Sequence, residues 1–274
     1  MSQQNTNEKT TENFDKTVKK YKKKRRKSGF AAFVVALLLI ATGLYFCYTK
    51  LFFVEKVDVV ISDANGTSLV YSDEEVLSGL GIKKGDGLYS FSASDVEGKA
   101  KYNLPYFKEI NVSRRWPSTV VVKVSLEKPM FYCTIADKIY IISEDLKVLE
   151  NTSDARELGK NSLIYLKASG IHNCIEGEML GVGIDTSEII FELVEKLDEN
   201  DILDKITSID VTNKFDITMM YSSVYFVKLD DAVNMDTKIR YLKRIIEDRK
   251  DNPGGGVIDL RNVDENEAKF DKFN

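Results

Sequence analysis

A stretch of 22 residues without a charged side chain, Ser28 to Thr49, limits what this chain can fold into more than any other feature. As a helix it extends roughly 33 Å, enough to cross the hydrocarbon core of a bilayer. A cleaved signal peptide is the alternative, with the small residues Ala41-Thr42-Gly43 as its cleavage site. However, the charged region before the stretch is too long for a signal peptide, and the apolar run continues to Tyr48. We therefore predict an uncleaved transmembrane helix over residues 28–49.

The charge balance differs on the two sides of this stretch. Residues 1–49 hold ten Lys and Arg against three Asp and Glu, whereas residues 50–274 hold 29 against 40. Basic residues flank the cytoplasmic side of a span, which predicts a disordered cytoplasmic tail over residues 1–27 and an extracytoplasmic body, as in a single-pass type II membrane protein. The acidic body argues against nucleic acid as a partner, because phosphate contacts require basic surface.

Between residues 52 and 129 the predicted order is strand, helix, helix, strand, strand. Alternating valines and isoleucines mark the strands. Two capping boxes, Ser72 with Glu75 and Ser94 with Glu97, are predicted to begin the helices, because each pair satisfies backbone N–H groups of a first helical turn.

The corner between the last two of these strands, "RRWPST", contains the only tryptophan of the chain. Pro117 fits the second position of a turn, and the residue before a proline is biased toward extended geometry. By alternation, Arg114 and Trp116 share the face of Val112. We therefore expect the indole ring to cover the end of a small core and the guanidinium to stack on that ring.

This order of elements, directly after a single span, resembles the POTRA domain of the FtsQ/DivIB family of bacterial division proteins. The corner carries the resemblance through Val112-x-Arg114-x-Trp116-Pro117-x-Thr119, followed by Glu127 and Pro129. The resemblance implies a POTRA domain over 50–129 and a β-domain over 130–274. It also implies a non-enzymatic scaffold, anchored in the cell membrane at the division septum, that recruits and holds FtsL-type and FtsB/DivIC-type single-pass proteins. A POTRA-type adaptor for polypeptide transport across the envelope is the alternative.

Beyond Pro129 the pattern turns to short strands with two amphipathic helices. One helix is predicted to begin with a box of Asp185 and Glu188, and the other to be capped at Asn234. The predicted fold class is therefore α+β: one transmembrane helix, a β-α-α-β-β POTRA domain, and a mostly antiparallel β-sheet domain with two helices.

The segments "VIDLR" (257–261) and "EAKF" (267–270) are predicted to be the last two strands. A strand at the edge of a sheet leaves N–H and C=O groups with which another chain can pair. The family resemblance implies that a division partner docks in this region, with Phe270 as its aromatic anchor and Ala268 making room on the same face. The predicted partner-binding residues are Asp259, Leu260, Arg261, Ala268, Lys269 and Phe270.

Catalysis is not predicted. The segment "SLEK", Ser125 to Lys128, fits the S-x-x-K pattern of penicillin-binding enzymes, but here it ends a strand instead of opening a helix. The single histidine, His172, lies near Cys174, yet one His and one Cys cannot close a zinc site, so we expect no metal, cofactor or small-molecule substrate. Cys133 and Cys174 can pair in principle, but without a disulfide framework we expect isolated small hydrophobic side chains.

Overall fold

The computed structural model describes residues 30–47, 52–62, 70–153, 162–250, 254–263 and 268–272. The predicted tail, residues 1–27, lies outside this part of the chain. Packing divides the chain into two compact units. The smaller unit combines the described residues up to Lys56 with Lys84–Phe91 and Arg114–Val120. The larger unit contains the described residues of Val57–Lys83, Ser92–Ser113 and Val121–Asn274.

The uncharged stretch forms helix α1, Phe30–Cys47, all of whose residues are exposed. Its 18 residues have a mean hydropathy of 2.4, so its length and composition allow it to cross a membrane. Within the described ranges it is the one helix that meets this test. The prediction of a single apolar helix is confirmed, and the outermost residues of the predicted span lie outside the described part.

In the smaller unit, the backbone after α1 is hydrogen-bonded to the loop at residues 85–88. The N–H of Val54 donates to the carbonyl of Asp86 at 2.8 Å, and the N–H of Leu88 donates to the carbonyl of Phe52 at 3.0 Å. Arg114 holds the same loop. Its Nε donates to the carbonyl of Leu88 at 2.7 Å and its Nη2 to that of Phe91 at 2.5 Å.

The predicted roles of Arg114 and Trp116 at the corner are corrected by the structure. The Trp116 side chain is 69% exposed, so the indole ring does not cover a core. It packs edge-on against Phe52, with 5.1 Å between ring centroids, and the Trp116–Pro117 peptide bond is cis. The Arg114 guanidinium stacks on Phe91 and Tyr89 at 4.9 and 5.6 Å, not on the indole. Alternation placed the indole on a face without showing whether that face is covered.

Three strands and two helices give the β-α-α-β-β order that the sequence predicts. The strands form a sheet in the order β1-β3-β2. Val112 on β2 and Thr119 at the start of β3 are both buried. The elements are β1 Lys56–Ile61, α2 Asp73–Leu80, α3 Ala93–Asn103, β2 Phe107–Arg115 and β3 Thr119–Leu126.

The two predicted capping boxes of this region have different outcomes. The box of Ser72 with Glu75 is confirmed and begins α2. The box of Ser94 with Glu97 is wrong, because the N-cap of α3 is Ser92 and its side chain makes no capping hydrogen bond. The Glu97 carboxylate instead accepts a hydrogen bond from the N–H of Val112 at 2.8 Å, which ties α3 to β2.

A nine-stranded sheet follows, in the order β12-β11-β10-β9-β8-β7-β4-β5-β6. Its strands are β4 Pro129–Ile135, β5 Lys138–Ser143, β6 Val148–Thr152, β7 Ile164–Ala168, β8 Ile206–Val211, β9 Ile217–Tyr221, β10 Tyr225–Asp230, β11 Gly256–Asp259 and β12 Lys269–Lys272. Five neighbouring pairs are antiparallel, and three pairs, β4 with β7, β7 with β8 and β10 with β11, are parallel. Strand β7 is not among the strands predicted from the sequence.

Helices α4, Ile184–Glu199, and α5, Met235–Asp248, contribute to one core with one face of this sheet. The inward residues alternate along the strands and recur at helical spacing, as the pattern predicts. They include Phe131, Leu166, Ile209, Met219, Val227, Ile258, Ile190, Leu193, Leu197, Ile239 and Leu242.

The two helix starts differ from the predicted caps. The predicted box of Asp185 with Glu188 is wrong, since α4 begins at Ile184 after the N-cap Gly183 and Asp185 pairs with Lys214 at 2.8 Å. Asn234 is the N-cap of α5, as predicted, but it has a left-handed backbone and its side chain makes no capping hydrogen bond.

Cys133 and Cys174 are not isolated from each other. Both thiols are free, and they lie close enough for each to affect the pKa of the other. Cys133 belongs to the core of the nine-stranded sheet, and Cys174 packs against that core. Burial raises the pKa of the Cys133 thiol to about 12 and also raises the pKa of Cys174.

We predict that Arg114→Met destabilises the protein more than Trp116→Ala. The Arg114 substitution removes two charged hydrogen bonds and two ring contacts, and should lower the free energy of unfolding by about 1.5–3 kcal/mol. The exposed indole has one ring contact, so its loss should cost about 1 kcal/mol or less. Urea unfolding followed by circular dichroism, which does not depend on the single tryptophan, measures both. A larger loss for Trp116→Ala would contradict the packing described here.

Candidate partner-binding surface

Strand β12 lies at one edge of the nine-stranded sheet. It pairs antiparallel with β11, with Ile258 opposite Phe270 and Asp259 opposite Lys269. No further strand follows it among the described residues. We call the outer side of β12 the open edge, because no further strand pairs with it within the described residues. The predicted strand "EAKF" is thus displaced toward the C-terminus, and its first residue lies outside the described ranges.

Phe270 fixes β12 to the rest of the protein. The guanidinium carbon of Arg249, the C-cap residue that follows α5, lies 3.3 Å from the centre of the Phe270 ring. The ring of Tyr225 packs edge-on against it, with 6.2 Å between centroids. Gly256 on β11 leaves the space for this ring, since a Cβ there would lie 2.6 Å from two of its carbons.

The structure shows what Ala268 and Phe270, the two predicted partner contacts at β12, touch within the protein itself. Both side chains pack against the core of the nine-stranded sheet. They do share a face, as alternation predicts, but it is the face that the protein covers itself. Lys269 and Asp271 lie on the opposite face and are exposed.

Asp259 and Arg261 form a bidentate ion pair where β11 ends. Arg261 Nε lies 2.9 Å from Asp259 Oδ1, and Arg261 Nη2 lies 2.6 Å from Asp259 Oδ2. This hydrogen bonding holds the pKa of the Asp259 carboxyl below its ordinary value. Leu260, between them, is fully buried and its N–H donates to the carbonyl of Lys228 at 2.9 Å. Of these three residues, Leu260 therefore belongs to the core.

A row of polar and charged residues crosses the face of the sheet opposite that core. The strand registers place neighbours in this row side by side, and Lys167 pairs with Asp210 at 2.7 Å. Lys228 and Asp259 are opposite in charge across β10 and β11. The row ends on the open edge at Lys269, and its members in order are Lys167, Asp210, Thr218, Lys228, Asp259 and Lys269.

The other edge of the sheet is covered by the protein itself. Residues Glu176–Leu180, which we call the covering segment, run along β6. The N–H of Val148 donates to the carbonyl of Glu178 at 2.9 Å, and the N–H of Gly177 donates to the carbonyl of Val148 at 2.8 Å. The Glu176 carboxylate accepts from the N–H of Asn151 at 3.0 Å. Of the two sheet edges, β12 is thus the one left open within the described part of the chain.

The residues that resemble a catalytic motif or a metal ligand lie in structural positions. Ser125 lies on β3, where its hydroxyl accepts from the N–H of Glu109 at 3.1 Å, and Lys128 follows the end of that strand. His172 Nδ1 lies 3.0 Å from the carbonyl of Gly170. The described ranges contain no group of three or more His, Cys, Asp and Glu that could hold a metal ion.

Comparison with known proteins supports the class that this architecture defines, a POTRA-domain protein with an apolar N-terminal helix. Residues 65–125 match the POTRA domain of FtsQ type. Cell division protein DivIB of Clostridium botulinum is 23% identical over 227 residues, covering 81% of this chain and 85% of that protein. Cell division protein FtsQ of Rickettsia bellii is 27% identical over 106 residues, covering 39% of this chain and 38% of that protein. The chain is thus similar to the FtsQ/DivIB cell-division proteins, and the resemblance predicted from the sequence is confirmed.

We predict that Gly256→Ala loosens β12. The added methyl group meets both the Phe270 ring and the backbone carbonyl of Asp271, so the strand must shift, at a cost of about 1–3 kcal/mol. Hydrogen exchange of the β12 amides should speed up more than that of the α4 amides. Gly254→Ala is the matched control, because its methyl group meets only the flexible end of Lys272, at 3.2 Å. Equal exchange in the two variants would contradict the prediction.

Proposed function

We propose that this protein is a non-enzymatic scaffold of the bacterial division machinery, held at the septum by α1. In this proposal its N-terminus is cytoplasmic and residues 50–274 are extracytoplasmic, with a POTRA domain over 50–129 and a β-domain over 130–274. The β-domain captures FtsL-type and FtsB/DivIC-type single-pass proteins. The observation that carries the proposal is the open edge of β12 in a chain that contains an FtsQ-type POTRA domain.

The partner binds, we infer, by adding a strand to β12. Main-chain hydrogen bonds would supply much of the affinity, and side chains would set the register. Phe270 supports this binding indirectly, because its contacts with Arg249 and Tyr225 hold the backbone of β12 in place before a partner arrives. A preordered strand reduces the entropy that binding costs.

The charges on the open edge favour a particular partner sequence. Lys269 and Asp271 are exposed on the same face, two residues apart. A strand added beside them places one residue opposite each. Opposite charges across neighbouring strands are favourable and like charges are not. We therefore expect a basic residue opposite Asp271 in the segment of the partner that docks here.

Localisation in cells tests the division role. A fluorescent protein fused to the N-terminus of the full chain should form a ring at midcell. A fusion to residues 1–49 alone is the control, and it should spread evenly over the envelope, because it lacks the partner-binding part. An even signal from the full chain would contradict the division role and favour a transport adaptor.

Two proline substitutions test the open edge. Successive residues of an antiparallel strand point their N–H groups alternately toward and away from the neighbouring strand. Lys269 and Lys272 are three residues apart, so one N–H faces β11 and the other faces outward. The proline that removes the outward N–H should weaken partner capture by about tenfold or more without lowering the melting temperature. The proline that removes the N–H facing β11 should lower the melting temperature, because it breaks a hydrogen bond within the sheet.

Hydrogen exchange of the unmodified protein identifies which of the two N–H groups faces outward, since that group exchanges faster. Partner capture is measured with the outer segments of the FtsL-type and FtsB/DivIC-type proteins of the same organism. Undiminished capture by both variants would show that the partner does not pair with β12.

A further inference from the structure

Three aromatic side chains of the smaller unit are exposed. Trp116, Tyr89 and Phe53 are 69%, 44% and 37% exposed. Tyr89 and Trp116 both pack edge-on against the ring of Phe52, with centroid distances of 6.0 and 5.1 Å. A group of exposed aromatic side chains is a candidate surface for contact with a protein or a membrane. We call Trp116, Tyr89 and Phe52 the aromatic patch.

The aromatic patch is built on a rigid frame, so its exposure is not that of a loose loop. Phe53 pairs with Gly87, and the carbonyl of Phe52 accepts the N–H of Leu88 at 3.0 Å. The Arg114 guanidinium lies over the ring of Tyr89 and holds the neighbouring carbonyls of Leu88 and Phe91. The rings are thus fixed in position without being covered by the protein.

The covalent chain keeps the aromatic patch close to the end of α1. Phe52 follows Cys47, the last residue of α1, by five positions. An extended chain covers at most about 3.6 Å per residue, which limits the separation of these two residues to about 18 Å. The headgroup region on each side of a bilayer is several ångströms deep, and Trp and Tyr concentrate there because one end of the ring is apolar and the other forms hydrogen bonds.

We propose that the aromatic patch lies in the membrane–water interface on the outer side of the bilayer, with the Trp116 indole among the lipid headgroups. This contact fixes the beginning of the POTRA region against the membrane in addition to the covalent link through α1. The inference rests on α1 spanning the membrane, as in the proposed function. It also accounts for an indole that adds little to the protein's own core.

Because Trp116 is the only tryptophan, the fluorescence of the unmodified full chain reports on this one side chain. The protein is placed in phospholipid nanodiscs whose acyl chains carry bromine, a quencher, either near the headgroup or near the chain end. We expect emission at a shorter wavelength than that of free tryptophan in water. Bromine near the headgroup should reduce the intensity more than bromine near the chain end, and dissolved iodide should quench less than it quenches free tryptophan.

A reporter within α1 is the matched control. The double variant Trp116→Phe, Tyr45→Trp places the only indole in the apolar helix, where brominated lipid should quench it strongly. Flotation of the protein with vesicles tests the anchoring by α1 separately, so a failure of the span is distinguishable from a failure of the patch. If the protein floats and the control is quenched, but Trp116 is quenched by iodide alone, then the aromatic patch faces water and the proposal is wrong.

Discussion

A buried ion pair within the larger unit holds the residue before β6 against the start of β2 and the end of β3. Lys147, just before β6, lies 2.9 Å from the carbonyl of Phe107, the first residue of β2, and 3.4 Å from the carboxylate of Glu127. Both side chains are more than 90% buried, and burial lowers the pKa of Lys147. Removing one partner of such a pair leaves a buried charge uncompensated, which typically costs about 3–5 kcal/mol. Only two residues, Glu127 and Lys128, separate β3 from β4. The ion pair therefore includes a residue of a very short connection between the two strands.

The two edges of the nine-stranded sheet differ in whether another segment of the chain is hydrogen-bonded along them. The covering segment satisfies backbone groups of β6, while β12 keeps its outer side open in the described structure. Phe270 fixes that open strand from the core side, and Lys269 and Asp271 present opposite charges on the other face. The strand is therefore held by contacts that an added strand does not need to break.

The sequence predicted elements well where the signal is local and failed where it depends on neighbours. Alternating residues identified most strands, and the family pattern around the corner identified the POTRA order. The predicted capping boxes at Glu97 and Asp185 were wrong because each carboxylate is bonded elsewhere. Glu97 accepts from the N–H of Val112, and Asp185 pairs with the ammonium of Lys214. Alternation also gave the correct shared face for Ala268 and Phe270, but it could not show that this face packs against the core. Burial of Trp116 was overestimated for the same reason.

In the described part of the chain, one edge of the nine-stranded sheet is open, and this limits the number of chains that can join the sheet there. If two copies of this protein met edge to edge, each would use its β12, because the β6 edge is already bonded to the covering segment. Such a pair is two-fold symmetric and closed, with no edge left for a third copy, so growth into a fibre stops at two. The sheet can thus accept one further chain, at β12. A partner strand and a second copy compete for the same position, and occupying the edge with one excludes the other.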